Sequence, residues 1–257
     1  MNDLVSIIMP SYNCGEYVEE TIRSVQAQTY SNWEIIFMDD CSTDDTVRKV
    51  SAMRDKDSRI KLFQNKMNSG AAVSRNNALQ EANGRWIAFL DSDDLWEPTK
   101  LEKQLRFMEE KGYKFSYTCY QEMDTEGAST GVTVSGPSHI TKDGMFAFCW
   151  PGCLTVIYDS EAIGLLQIED IKKNNDYAMW LKVCKNADCY LLPEVLAKYR
   201  RGRSGSVSSH GISTMIKWHY KLFREAEKMG VVSSLWHTGV NLVCGFYKKL
   251  KYVKKQA

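Results

Sequence analysis

Four short apolar runs, residues 4–9, 33–38, 60–63 and 86–90, alternate with stretches of helical periodicity, and no other feature limits the fold as much. The first run, Leu4-Val5-Ser6-Ile7-Ile8-Met9, is β-branched and apolar and is stopped by Pro10-Ser11. Residues 16–28 then place Val18, Ile22 and Val25 on one helical face. Residues 43–54 and 71–82 continue the helical stretches, the last followed by Gly84. Strands separated by helices in this way require right-handed βαβ crossovers, and so an α/β fold whose mostly parallel sheet is covered on both faces. In such sheets ligands bind in the crevice beyond the carboxyl ends of the strands. The polar clusters of this chain fall at those ends: Pro10-Ser11-Tyr12-Asn13, Asp39-Asp40, residues 65–70 and residues 91–94.

The second half is less regular. Its patterns predict a helix over 98–110, a strand over 115–120, a Gly/Ser/Thr-rich loop or hairpin over 124–144 and a strand over 154–158. A buried helix follows at 177–184, a short strand at 190–192, and a Ser/Gly/Arg loop at 200–211. Two partly amphipathic helices, 213–229 and 234–255, close the chain, and no internal repeat is visible. With 257 residues, 44% hydrophobic and 25% charged, a soluble globular protein is expected, either one large domain or one domain plus a small extension. The formal net charge is +1, yet residues 214–257 carry nine Lys/Arg against two Glu. An acidic working region and a basic tail that meets an anionic partner follow from that asymmetry.

Met1-Asn2-Asp3 lacks the basic n-region of a signal peptide, and no segment approaches the roughly 20 apolar residues of a membrane-spanning helix. None of the eight cysteines forms a CxxC pair, so zinc-site spacing is absent and reduced thiols in the cytoplasm are expected.

Three acids in four residues, Asp91-Ser92-Asp93-Asp94, directly follow the fourth apolar run. Residues i and i+2 of an extended strand end project to one side, so Asp91 and Asp93 are placed to share a hard cation, Mg²⁺ or Mn²⁺, with the oxygens of a diphosphate. The competing structural reading is capping of the helix that begins near Glu97-Pro98, which needs fewer acids. Asp39-Asp40 ends the second run in the same way. Ser42 and Thr43 are candidate caps for the next helix, and Asp39 suits hydrogen bonds from a base or ribose. Asn68-Ser69-Gly70 leads into a helix carrying Arg75-Asn76. Arg75 there is either a solvated residue or a partner for base or phosphate, and Gly70 permits close backbone approach. Asp176, before Tyr177-Ala178-Met179-Trp180-Leu181, is either a first-turn acid complementing the helix dipole or a general base at the mouth of the site. The late basic loop is either a solvated turn or a clamp on a leaving diphosphate through Arg200 and Arg203. His210 is either a surface residue or a late metal ligand.

Together these residues resemble the family 2 glycosyltransferases of the GT-A fold, over roughly residues 4–210. VSIIMPSYN (5–13) is similar to that family's opening strand and loop, DDCSTDDT (39–46) to its second acidic motif, NSGAAVSRN (68–76) to its third, and DSDD (91–94) to its DxD metal motif. The resemblance implies a nucleotide-sugar donor whose base, normally uracil, lies between Tyr12 and Arg75 and is bound by Asp39. It puts Asp91 on the ribose and Asp93 on the Mn²⁺ or Mg²⁺ that bridges the diphosphate, with Pro10 and Ser92 in the same donor-binding set. Asp176 falls where the family places its catalytic base, usually the second of two acids; here Asn175 replaces the first. The implied reaction is one in-line displacement with inversion. A saccharide or lipid-linked saccharide hydroxyl would be the acceptor, in cell-surface polysaccharide biosynthesis. The implied layout is a GT-A domain over 1–212, with a nucleotide-binding half of about 1–97 and an acceptor half of about 98–212, and a basic helical extension over 213–257.

Two other functions stay open on sequence: transfer to polyprenyl phosphate, an acceptor already anionic, and non-catalytic sensing of a nucleotide sugar, which has no use for Asp176. The aromatic and basic residues of 213–257 read either as helices packed on the domain or as an anchor to anionic lipid, which would hold a cytoplasmic enzyme at the inner face of the cell membrane. A near-neutral total charge argues against a nucleic-acid partner. The pattern does not set the oligomeric state, the sugar or the linkage.

Overall fold

The computed structural model describes residues 3–202 and 212–255; Arg203 and His210 lie outside the described residues. The first half alternates as expected: β1 (Val5–Ser11), α1 (Val18–Gln26), β2 (Trp33–Asp39), α2 (Thr46–Arg54), β3 (Ile60–Gln64), α3 (Ala71–Gln80) and β4 (Trp86–Phe89). These four strands lie in the order β3-β2-β1-β4, all parallel, with Val5 opposite Trp33 and Trp86. Gly84 permits the tight entry into β4. A Cβ there would sit 2.6 Å from the Leu4 carbonyl and the Ser6 nitrogen.

The second half supplies β5 (Leu95–Trp96), α4 (Lys100–Lys111), β6 (Phe115–Met123), β7 (Ser129–Val134), β8 (His139–Ile140), α5 (Lys142–Ala147), a 3₁₀ turn at Cys153–Thr155, β9 (Ile157–Asp159) and α6 (Ser160–Ile163). It continues with α7 (Asn175–Cys184), β10 (Cys189–Arg200), α8 (Ile212–Lys221), a π turn at Leu222–Ala226, α9 (Val231–Tyr252) and β11 (Val253–Lys255). Strand β9 bridges β4 and β6 antiparallel, and β7 returns on β6 as a hairpin, so the Gly/Ser/Thr-rich region is paired. The short strand expected at 190–192 is the start of the longer β10, which runs parallel to β6 through two register shifts. The C-terminal extension, expected to be helical throughout, ends instead in β11, which pairs antiparallel with β7. The main chain after α9 is thus drawn into the sheet, where its polar groups find ladder partners.

Two apolar clusters lie on opposite faces of the sheet, as alternation along β1 shows: Ile8 belongs to one, Val5, Ile7 and Met9 to the other. The second cluster is closed by Val18, Ile22 and Val25 of α1, Val50 of α2, and Leu101, Leu105 and Met108 of α4. The first is closed by Ala78 and Leu79 of α3, by α7 from Tyr177 to Cys184, and by Leu222, Phe223 and Ala226 near the C-terminus. Helix α7 is buried almost all round, with Trp180 edge-on to Phe89 at 5.1 Å.

His219 of α8 is buried against Tyr177, ring centroids 6.3 Å apart. Burial pushes its pKa down to about 4, so it stays neutral in the fold where an unfolded histidine titrates near 6.5. The sign follows from linkage: the unfolded chain takes up this proton first, so stability present above about pH 6.5 is lost as pH falls toward 4. The full loss is about 3 kcal/mol. A His219→Phe variant is expected to lose less melting temperature than wild type between pH 7 and pH 4.5. An identical drop in both proteins would rule the histidine out as a source of acid sensitivity.

Candidate functional site

Because β1, β2, β3 and β4 are parallel, their carboxyl ends share one rim. Ser11 stands opposite Asp39, Asp39 opposite Gln64, and the chain after β4 leaves beside Ile8, with the Leu90 amide bonded to its carbonyl (3.1 Å). Loops from the four strands are then cross-tied. The Asn13 amide donates to Ser42 Oγ (2.9 Å), and the Thr43 amide donates to Asn13 Oδ1 (2.8 Å). Ser42 and Thr43, expected to cap α2, are spent on this tie. Asp44 instead takes the Thr46 amide (3.0 Å) and hydroxyl (2.6 Å).

The paired acids at the end of β2 divide their work. Asp40 is structural: Oδ1 accepts from Asn65 Nδ2 and the Ser69 amide, both 2.8 Å, and Oδ2 from the Gly70 amide (2.7 Å). Gly70 is required for its φ of +86°, not for a close approach, since a Cβ there would meet open space. Asp39 is fully buried at the rim. Its Oδ2 accepts from the Ser42 amide (3.0 Å), while its Oδ1 finds no partner among the described residues.

Arg75, one turn into α3, is buried rather than solvated. Its Nη2 donates to Asp91 Oδ1 (2.5 Å) and its Nη1 to Asn175 Oδ1. Burial alone would weaken its charge; Asp91 beside it reverses that and holds the guanidinium protonated more firmly than an ordinary arginine. The side chain thereby joins the acidic motif after β4 to the start of α7. Asn175, where an acid was expected, keeps the hydrogen bond to Arg75 without adding a second negative charge. Its neighbour Asp176 is partly exposed in the first turn of α7, with Oδ1 accepting from the Tyr177 amide (2.8 Å). Burial raises its pKa above the usual carboxylate range, Arg75 pulls the other way, and Asp91 adds to the rise.

Residues 91–94 form a turn, closed by the Asp94 amide on the Asp91 carbonyl (3.1 Å), rather than an extended strand end. Exposure nevertheless alternates: Asp91 and Asp93 are partly open, Ser92 and Asp94 buried. The Ser92 carbonyl accepts from Thr21 Oγ1 (3.1 Å). Helix α4 begins only at Lys100, so the acids do not cap it. Asp94 accepts the Arg200 amide (2.9 Å), and burial, then the charges of Asp93 and Asp91, push its pKa well up. Asp91 and Asp93 are partly open, hard oxygen donors of the kind that suit Mg²⁺ or Mn²⁺. Among the described residues no three His, Cys, Asp or Glu surround one point.

Tyr12 lies at the rim, 45% exposed, and Pro10 is buried within β1 opposite Met38. Arg200 corrects the expectation of a diphosphate clamp. Its side chain is 1% exposed, with Nε on the Asp93 carbonyl (2.8 Å), Nη1 on the Thr125 carbonyl (2.7 Å) and Nη2 on Glu20 Oε2 (2.7 Å). Every arm is committed inside the protein, so Arg200 shapes the acidic turn from behind.

Sequence reading missed the segment before the 3₁₀ turn. The thiol of Cys153 lies among the charges of Arg75, Asp91, Asp176 and Asp94, and burial pushes its pKa well up. Gly152 lets the chain pass Tyr120, where a Cβ would sit 3.0 Å from Cε1. Lys248 of α9 donates to the Trp150 carbonyl (2.8 Å) and lies within electrostatic reach of Asp176. The Pro151-Gly152 pair was the one available signal; Lys248 was indistinguishable from the other lysines of its run.

Residues 6–141 match the model of glycosyl transferase family 2. The chain is 40% identical over 234 residues to the putative teichuronic acid biosynthesis glycosyltransferase TuaG of Bacillus subtilis strain 168, covering 91% of this chain and 92% of that protein. It is 40% identical over 215 residues, 84% of each chain, to WfaP of Escherichia coli, a UDP-Glc:alpha-D-GlcNAc-diphosphoundecaprenol beta-1,3-glucosyltransferase. Its fold is that of residues 1–349 of S. aureus TarS, solved with UDP-GlcNAc, at a TM-score of 0.71 and 21% identity over 96% of this chain and 76% of that one.

The two roles weighed for Arg200 separate experimentally. An Arg200→Ala variant is expected to lose about 3 kcal/mol in urea unfolding, because the carbonyls of Asp93, Asp124 and Thr125 lose their charged donor. Unchanged stability with a large rise in donor KM would restore the clamp.

Proposed function

The chain belongs to glycosyl transferase family 2, and from that premise we propose that it transfers a sugar, with inversion, from a UDP-sugar to a hydroxyl of a lipid-linked saccharide during assembly of a cell-surface polysaccharide. One observation carries the reading: the Arg75 guanidinium holds Asp91 and Asn175 together, and so brings the acidic motif and Asp176 to one place. The names of TuaG and WfaP support the pathway class and the lipid-linked acceptor, and UDP-glucose is the first donor to test. An alternative acceptor, polyprenyl phosphate, is less well supported, because a phosphate oxygen has no proton for Asp176 to remove.

In this reading Tyr12 stacks on the base, and the unpartnered Asp39 Oδ1 accepts a base N–H. Asp91, already oriented by Arg75, receives the ribose. Asp93, with Asp91 adjacent, would hold the divalent ion, whose chemistry is to offset charge on the departing nucleoside diphosphate. Asp176 takes the proton of the acceptor hydroxyl as that oxygen attacks the anomeric carbon from the face opposite the leaving group. Burial raises the pKa of this carboxylate, and the charge of Arg75 opposes that rise. Such an acceptor places the enzyme at a membrane surface. The domain limits proposed are 1–212 for catalysis and 213–257 for the extension, with β11 completing the sheet of the first.

Asp176→Asn is expected to bind UDP as wild type does and to lose at least about a thousandfold in kcat with a UDP-sugar and acceptor. Turnover within tenfold of wild type would remove Asp176 as base. Since the base acts ionised and its pKa is raised, the acid limb of kcat/KM is expected above the value of an ordinary aspartate, about 3.9. Asp93→Ala is expected to abolish the gain in UDP-sugar affinity given by Mn²⁺; an unchanged gain would place the ion elsewhere.

A further inference from the structure

Helix α9 has two chemically opposite faces. At 100° per residue, Val232, Leu235, Trp236, Val243, Phe246 and Leu250 fall within an arc of about 100°. All six are exposed, from 58% at Leu235 to 82% at Val232. The stripe runs about 27 Å along the helix at 1.5 Å per residue. Lys249 and Lys251 border it on either side, and no acidic residue occurs anywhere in α9. The opposite face is anchored. Asn241 Nδ2 donates to the Tyr177 hydroxyl (2.7 Å) and the Ala147 carbonyl (3.0 Å), Gly245 allows close approach to Phe148, and Lys248 holds the Trp150 carbonyl.

An apolar patch of this size on a soluble monomer marks an interaction surface. Its chemistry favours a bilayer over a protein partner. The stripe is aliphatic and aromatic, its borders are cationic, and lysine stems of this kind reach past apolar neighbours to headgroup phosphates. The charge of residues 214–257 is of the same sign. No helix among the described residues is long and apolar enough to cross a membrane, so the helix would lie in the interface plane.

We propose that α9 seats the enzyme on an anionic membrane through its Val232–Leu250 face, while its inner face braces the segment beside Asp176, so that one helix joins the lipid surface to the acceptor side of the cleft. The inference gives the proposed lipid-linked acceptor its physical setting and rests on that reading for its purpose, but its test uses neither donor nor acceptor.

The full chain is floated with vesicles of phosphatidylcholine alone or with about 30% phosphatidylglycerol. Wild type is expected to bind the anionic vesicles and to lose binding several-fold in 0.5 M salt. Trp236→Ser/Phe246→Ser is expected to reduce the partition at least about tenfold. Lys249→Gln/Lys251→Gln is expected to weaken it and flatten its salt dependence. Thermal stabilisation by UDP, unchanged in all variants, would report intact folding and donor site. Wild type that fails to float, or a Trp236/Phe246 variant that floats equally, overturns the proposal. So does a wild-type dimer that Phe246→Ser dissociates and vesicles do not, since a second copy would then cover this face. Vesicle binding without any UDP stabilisation would uphold the membrane inference and defeat the donor reading instead.

Discussion

The buried guanidinium of Arg75 is the interaction on which the site depends. A desolvated cation is costly unless it is met by charge and hydrogen bonds, and here Asp91 supplies the first and Asn175 adds to the second. The cost of misplacing any of the three fixes α3, the turn after β4 and the start of α7 relative to one another. Asp176 inherits its position from that arrangement. A neutral amide at 175 also limits how much negative charge gathers around the arginine, which leaves more of its field for Asp176.

The polar rim was legible in sequence because its logic is local. Each parallel strand ends at the same rim, and each polar cluster follows its strand directly, so Asp39, Asp91 and Asp93 could be placed from chain order alone. Their division of labour was less visible. Asp39 and Asp40 are identical letters, and only the fold shows that Asp40 spends both oxygens on the loop before α3 while Asp39 keeps one free. Arg200 misled for a related reason. A basic residue beside Gly and Ser suggests solvent, yet it ends a strand and turns inward onto the acidic turn.

The surroundings of Asp176 were not legible. They are assembled from the Phe148–Cys153 region, α7 and α9, which are far apart in the chain and joined by contacts no periodicity announces. Lys248 illustrates the difficulty: its neighbours Lys249 and Lys251 are exposed, while it turns onto the Trp150 carbonyl. Helical phase separates them, and phase is meaningful only once the inner face is known.

Strand β11 has a consequence for solubility. It covers Val132, Thr133 and Val134 of β7, whose other side is taken by β6. Without those three residues the hairpin would present a row of unsatisfied amides and carbonyls, the surface on which strands of separate molecules stack. With β11 in place the sheet edge passes to a strand only three residues long that carries Lys254 and Lys255, and a short, charged edge of this kind resists self-templated stacking.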